Sequence, residues 1–130
     1  MRRVPACLIL ALLCARIPSA QASEGGGEGP PLVAMDAIVV PIIDAGRIVG
    51  KLRFKLVLLA HDPEAAARLT AEVPRLRSIA LSAGNNFASF EATPAEAVDA
   101  RLLVQRLEAQ LKSGAEGIDR VLLVEVVATR

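Results

Sequence analysis

Residues 50–60 read GKLRFKLVLLA and carry the clearest periodic pattern in the chain. From Lys51 to Leu56, basic and apolar side chains alternate at the two-residue period of a pleated strand. After Lys55 the sequence becomes continuously apolar, which is typical of a strand covered on both faces. The stretch therefore predicts a strand whose first half has one buried face and one solvent-exposed basic face.

Another strand is predicted immediately before this one. Residues 33–43 (VAMDAIVVPII) are apolar and rich in β-branched side chains, and residues 44–47 (DAGR) have the composition of a tight turn. Strands joined by so short a turn pair antiparallel, so residues 33–43 and 48–60 should form a hairpin. Pro41 has no N–H to donate to a neighbouring strand, and it therefore predicts an edge position or a bulge.

A helix is predicted directly after the hairpin. Residues 62–64 (DPE) combine a capping carboxylate, a proline suited to the first helical position and an acid that favours the positive end of the helix dipole. We expect Pro74 either to kink this helix or to start a second helical piece over residues 75–83, and we expect Gly84 to end it. Residues 84–93 should then form a loop, with its two phenylalanines beneath it as apolar plugs.

The second half of the chain predicts a long helix and a final strand. Residues 93–96 (TPAE) match a capping box with proline at the first helical position, so we expect a helix from there to about Lys112. Its apolar side should carry Val98, Leu102, Leu103, Leu107 and Leu111, and its solvent-exposed side Arg101, Gln105, Glu108 and Lys112. Residues 118–128 (IDRVLLVEVVA) are rich in Val and Leu on both faces, which predicts the central strand of the sheet. On that interpretation Val124→Asp should unfold the domain, because it would bury an unpaired charge.

These elements predict an α+β fold in a single domain spanning residues 32–130. The fold is a small antiparallel sheet of about three strands, in the order strand, strand, helix, helix, strand, with a kinked helix and a long helix packed on one face. Residues 23–31 (SEGGGEGPP) are acidic and rich in Gly and Pro, a composition that predicts a flexible linker.

Residues 1–22 have the three regions of a secretory signal peptide. A basic start precedes an apolar run over residues 6–15, and residues 20–22 (AQA) supply a cleavage site. The run is too short for a spanning helix, which needs about 20 apolar residues. We expect cleavage before Ser23 and export without a stable membrane anchor, and retention of the segment as an anchor is the alternative. Cleavage would also remove both cysteines.

Charge and residue usage argue against several function classes. Without residues 1–22, the remaining 12 basic and 14 acidic residues give a net charge of −2, which argues against a nucleic-acid partner. His61 is the only histidine, and catalytic zinc takes three protein ligands. We therefore predict no metal, no cofactor, no catalytic residue and no enzyme activity.

Lys51, Arg53 and Lys55, hereafter the basic row, are the candidate partner-contact residues. Three cations on one strand face could bind an acidic protein patch or anionic lipid headgroups. The alternative is that the charges keep the strand solvated and prevent aggregation through its edge.

The order of elements and several segments resemble the periplasmic domain of the FliL family, the flagellar basal-body-associated proteins. The resemblance covers about residues 36–128 and rests on GKLRFKLVLLAHDPEAAARL, EVPRLRSIALS, AVDARLLVQRLEAQL and IDRVLLVEVVATR. Residues 99–102 (DARL) keep only the Arg and a Leu of the family's usual Gly-Lys and Leu-Arg pattern, and the final strand lacks the usual phenylalanines. Family members are also held in the inner membrane by an uncleaved N-terminal helix.

The resemblance implies a non-enzymatic role in assemblies around the flagellar motor. It implies periplasmic localisation, or an inner-membrane anchor if residues 1–22 are retained. It also implies protein partners in the envelope such as motor components, and association into homo-oligomers. The alternative, from another class, is a periplasmic binding module that holds a small apolar ligand or lipid in a groove between the long helix and the sheet.

Overall fold

A computed structural model describes residues 29–130. The predicted signal peptide and most of the predicted linker lie outside the described residues. The described elements are β1 (Leu32–Ala34), β2 (Ile38–Asp44), β3 (Arg47–Ala60), α1 (Pro63–Ala71), α2 (Val73–Phe90), α3 (Ala100–Gly114) and β4 (Ile118–Thr129). The helices cover one face of an antiparallel sheet, which confirms the predicted α+β class.

The central strand of the sheet is β3. It pairs antiparallel with β4 along one edge, and along the other edge with β2 and then β1. The single strand predicted over residues 33–43 is thus divided into two, both on the same side of β3. The prediction that residues 118–128 form the central strand is wrong, because β4 pairs with β3 alone among the described strands. Its outer face is apolar but uncovered, and composition alone cannot distinguish such a face from a buried one.

The turn between β2 and β3 passes through Ala45 and Gly46, both at positive φ, 47° and 76°. A two-residue turn of this kind matches the twist of the flanking strands, and glycine adopts positive φ without strain. Pro41 lies on the edge strand β2, and the register shifts between Ile42 and Ile43. Both the edge position and the irregularity predicted from Pro41 are therefore confirmed.

The core lies between the sheet and the three helices. Along β3 the buried side chains alternate with more exposed ones from Leu52 to Ala60. The alternation is predicted up to Leu56, but the predicted cover on both faces after Lys55 is wrong, because Val57 and Leu59 are only half-buried. Burying a leucine-sized side chain stabilises a domain by roughly 1.5–3 kcal/mol. The helices contribute the buried side chains of Ala65, Leu69, Leu76, Ala80, Ala83, Phe87, Ala88, Leu103, Leu107 and Leu111.

The first predicted helix is two helices, and the second of them is longer than predicted. The break comes before Pro74, which lies in the first turn of α2. Of the two alternatives for Pro74, the start of a second helical piece is therefore confirmed and the kink is wrong. Helix α2 then passes through Gly84 to Phe90, so the predicted loop is wrong. Gly84 remains helical because it packs against the ring of Phe54, where a side chain has no room. Phe87 is buried as expected, whereas Phe90 is 83% exposed and plugs nothing.

Helix α3 begins at Ala100, so the capping box predicted at residues 93–96 is wrong. Asp99 supplies the cap instead, since its Oδ1 accepts a hydrogen bond from the backbone N of Leu102 at 3.0 Å. Pro94 packs beside the hairpin, where a Cβ added to Gly50 would lie 3.0 Å from its Cγ. Residues 94–95 form a turn and residue 96 a bend, so the helix starts only at Ala100.

Candidate functional site

The basic row lies on the sheet face opposite the helices, and all three of its side chains are exposed. Arg53 Nη1 is 3.3 Å from Glu125 Oε1 on β4, and Lys55 lies opposite Glu125 in the strand register. Because 55% of the Arg53 side chain is exposed, solvent screens the pair, and such pairs contribute about 0–1 kcal/mol. Glu125 therefore neutralises part of the row without fixing it rigidly.

Aliphatic side chains flank the basic row on this uncovered face. Val39 of β2 and Val127 of β4 lie directly opposite Arg53 on its two sides, and both are exposed. Nearer the other end of β3, Leu32 and Leu122 are also exposed. The face is thus a basic centre line bordered by apolar side chains.

A shallow groove of about 530 Å³ runs between β4 and the first half of α3. One wall is Val121–Val126 of β4, and the other is formed by α3, with Val104 as its apolar residue. Ala100, Arg101 and Gln105 line the remainder of the α3 side. Most of the lining is apolar, and one side of the groove is the free edge of the sheet.

Glu108 connects α3 to that free edge. Its Oε2 accepts a hydrogen bond from the backbone N of Val121 at 3.3 Å, and its Oε1 accepts one from Lys112 Nζ at 2.6 Å. The hydrogen bond from Lys112 is the largest cause that lowers the pKa of Glu108, partial burial opposes it, and the bond from Val121 adds to it. The sequence predicts Glu108 on the solvent-exposed side of the helix. No neighbouring residue indicates that its carboxylate accepts a hydrogen bond from a strand.

Replacing Glu108 with glutamine should weaken the domain at neutral pH. The folded pKa lies below the ordinary 4.5, so the unfolded carboxyl binds protons more readily. The stabilisation is therefore present above the unfolded pKa and is lost as pH falls through the lower folded pKa. We expect Glu108→Gln to cost about 1 kcal/mol at neutral pH and to make acid unfolding shallower. Urea titrations at several pH values would measure both effects.

The control for that variant is Glu96→Gln, at an exposed residue that forms no ion pair within residues 29–130. It should leave the pH dependence of unfolding unchanged. Equal acid sensitivity of the parent and Glu108→Gln would mean that the negative charge of Glu108, with its bonds from Lys112 and Val121, contributes nothing to stability.

Within residues 29–130, no three His, Cys, Asp or Glu side chains are grouped so that they could hold a metal ion. His61 is exposed, and its backbone N donates to the carbonyl oxygen of Gly117 at 3.0 Å. This bond ties the end of β3 to the residue that precedes β4. None of the helices in the described part of the chain is both long and apolar enough to cross a membrane.

No protein-family model matches the sequence, and no curated protein matches it significantly. The resemblance to the FliL family therefore rests on the quoted segments and the order of elements alone.

Proposed function

We propose that this chain is an exported, non-catalytic domain that works by binding other proteins. The observation that carries this proposal is the exposed aliphatic row of Leu122, Val124 and Val127 on β4, beside the groove under α3. Exposed apolar side chains are usually scattered singly, and clusters of them mark interaction sites. Here they follow one edge strand, and no described element covers them.

The resemblance to the FliL family supports a more specific proposal, a role beside the flagellar motor in the periplasm. Two experiments test it together: motility of a deletion strain, and recovery of motor components by the tagged full chain. Reduced motility with recovered motor proteins is the expected result. Normal motility together with an empty pull-down would discard the flagellar role and leave the general interaction role standing.

Export and anchoring are tested by the N-terminal mass of the protein recovered from the envelope. A chain that begins at Ser23 supports a released periplasmic domain. An intact N-terminus in the membrane fraction supports the alternative, in which residues 1–22 are retained as an anchor.

The basic row is proposed as part of the contact surface. Replacing its three residues with glutamine should leave folding intact, because all three side chains are exposed. If the row attracts an acidic partner, association should slow by about tenfold or more at low salt and much less at high salt. Surface plasmon resonance with a recovered partner would measure the rates. The control neutralises three exposed cations on the helices, Arg68, Arg75 and Arg106. Equal rates for both variants would remove the row from the contact surface.

A second candidate function is the binding of a small apolar ligand or lipid. The groove between β4 and α3 favours this function. It lies between a helix and the sheet, the location that the sequence-based alternative gives for a ligand groove. Native mass spectrometry of the protein purified from its own envelope would detect a bound lipid. A protein that carries no added mass would count against this function.

A further inference from the structure

We infer that the free edge of β4 accepts an extended segment of a partner protein as an additional strand, and that this segment carries acidic residues at its ends. The inference rests on the proposed protein-binding role and specifies the partner's chemistry. Its basis is the difference between the two edges of the sheet, together with the groove and charges along β4.

The two edges of the sheet differ in how they are protected. Along the β1 and β2 edge, the strand is interrupted at residues 35–37, Pro41 removes one donor, and the register shifts after Ile42. Interruptions, proline and bulges are the devices by which proteins block pairing at an edge. On the other side β4 runs continuously from Ile118 to Thr129 and contains no proline. Register shifts occur on both edges, one in the pairing of β2 with β3 and two in the pairing of β4 with β3, so the difference between the edges lies in the interruption and the proline. The only carboxylate of β4 between Val121 and Thr129, Glu125, is paired with Arg53.

Glu108 indicates what the free edge binds. The backbone N of Val121 donates to a side chain of α3, so this N–H points away from β3 and towards the open edge. The Glu108 carboxylate accepts a hydrogen bond from this N–H. The carbonyl oxygens of an added strand would accept in the same way from N–H groups further along β4. An extended partner would supply such oxygens to the residues that follow, and its side chains would alternate between the groove and the outer face.

The groove and its flanking charges define the partner's composition. Val104 and the wall of β4 offer an apolar surface to every second side chain of the added strand. Only three residues connect α3 to β4, so the two elements run in opposite directions. Arg101 therefore lies near the Val126 end of the groove. Arg120 precedes Val121 at the other end. Neither arginine forms an ion pair within the described residues. A partner segment spanning about 20 Å, with aliphatic side chains in the middle and an acid at each end, matches both features.

The test uses the full domain and a fluorescent heptapeptide of the sequence Glu-Val-Thr-Val-Thr-Val-Glu. We expect saturable binding by fluorescence anisotropy, weakened at least about tenfold by Val124→Lys, since a lysine on an edge strand opposes pairing. Val124 is 62% exposed, so this variant should fold. The matched control is Val39→Lys on the protected edge, at a residue 51% exposed, and it should bind as the parent does.

Two N-methylated versions of the peptide distinguish backbone pairing from binding through side chains alone. Methylation of the amides that face β4 should abolish binding, whereas methylation of the alternate amides should preserve it. Binding that tolerates both versions, or a parent that binds no peptide, would overturn the inference. A dimer of the chain that Val124→Lys dissociates would also overturn it, because a second copy would then occupy the edge. If a natural partner binds parent and Val124→Lys equally, strand addition is wrong while the protein-binding role stands.

Discussion

The Val121→Asp variant is expected to lose about 3–5 kcal/mol of folding stability at neutral pH, whereas Val124→Asp, three residues later in the same strand, is expected to lose about 1 kcal/mol or less. Val121 is 2% exposed and faces the core opposite Leu58, so its replacement would leave a carboxylate buried without a cation. An uncompensated buried charge costs about 3–5 kcal/mol, a large part of the roughly 5–15 kcal/mol that stabilises a domain. Val124 is 62% exposed, so the same change there should cost about 1 kcal/mol or less, mainly through strand propensity.

This pair of variants corrects the sequence-based expectation that Val124→Asp would unfold the domain. Val124 is the extra residue where the register shifts between Lys55 and Leu56, and it lies outside the core. Urea unfolding followed by circular dichroism would measure both variants. Val121→Asn introduces a side chain that is similar in shape to aspartate but uncharged, so it separates the cost of charge from the cost of polarity. Its free energy of unfolding should lie between those of the two aspartate variants. Equal stability of the two aspartate variants would mean that β4 is not packed as described.

The sequence predicts β3 well because one physical requirement dominates there. A strand with one covered face needs alternating side chains, and residues 51–56 alternate without exception. The apolar face of α3 is predicted for a similar reason, since Leu103, Leu107 and Leu111 recur at helical spacing and are all buried. Where a local period and burial agree, element type and the buried face can both be predicted.

The errors occur where a contact with a distant residue decides the local structure. Gly84 is a strong helix-ending signal, yet packing against Phe54, on another element, keeps it inside α2. The position of β4 in the sheet is a similar case. Its apolar outer face predicts burial, but within residues 29–130 several of its side chains are exposed. The bond between Glu108 and Val121 joins two elements and has no sequence signature. The candidate binding edge therefore cannot be predicted from the sequence, whereas the solvent-exposed strand face that carries the basic row can be.

The contact between Phe54 and Gly84 should contribute strongly to the packing of α2 on the sheet. Phe54 is fully buried on the central strand, and Phe54→Ala should cost about 3–5 kcal/mol through lost burial and the cavity left behind. Glycine inside a helix is normally improved by alanine, by about 1 kcal/mol. Here a Cβ on Gly84 would lie 2.6 Å from Phe54 Cε1 and 2.7 Å from Cζ. Overpacking costs about 1–3 kcal/mol, so Gly84→Ala should destabilise the parent.

The two changes should be strongly coupled. In the Phe54→Ala background the ring is gone, so Gly84→Ala should become stabilising and recover the helical preference of alanine, with a coupling of about 1–3 kcal/mol. Urea unfolding of the parent, both single variants and the double variant closes the cycle. The control is Asn85→Ala, at the next residue of α2, which is exposed and should stabilise both backgrounds by about 0.5 kcal/mol. A Gly84→Ala that stabilises the parent as well would contradict a close contact between α2 and β3, because alanine is tolerated at this position only if the ring of Phe54 can move away.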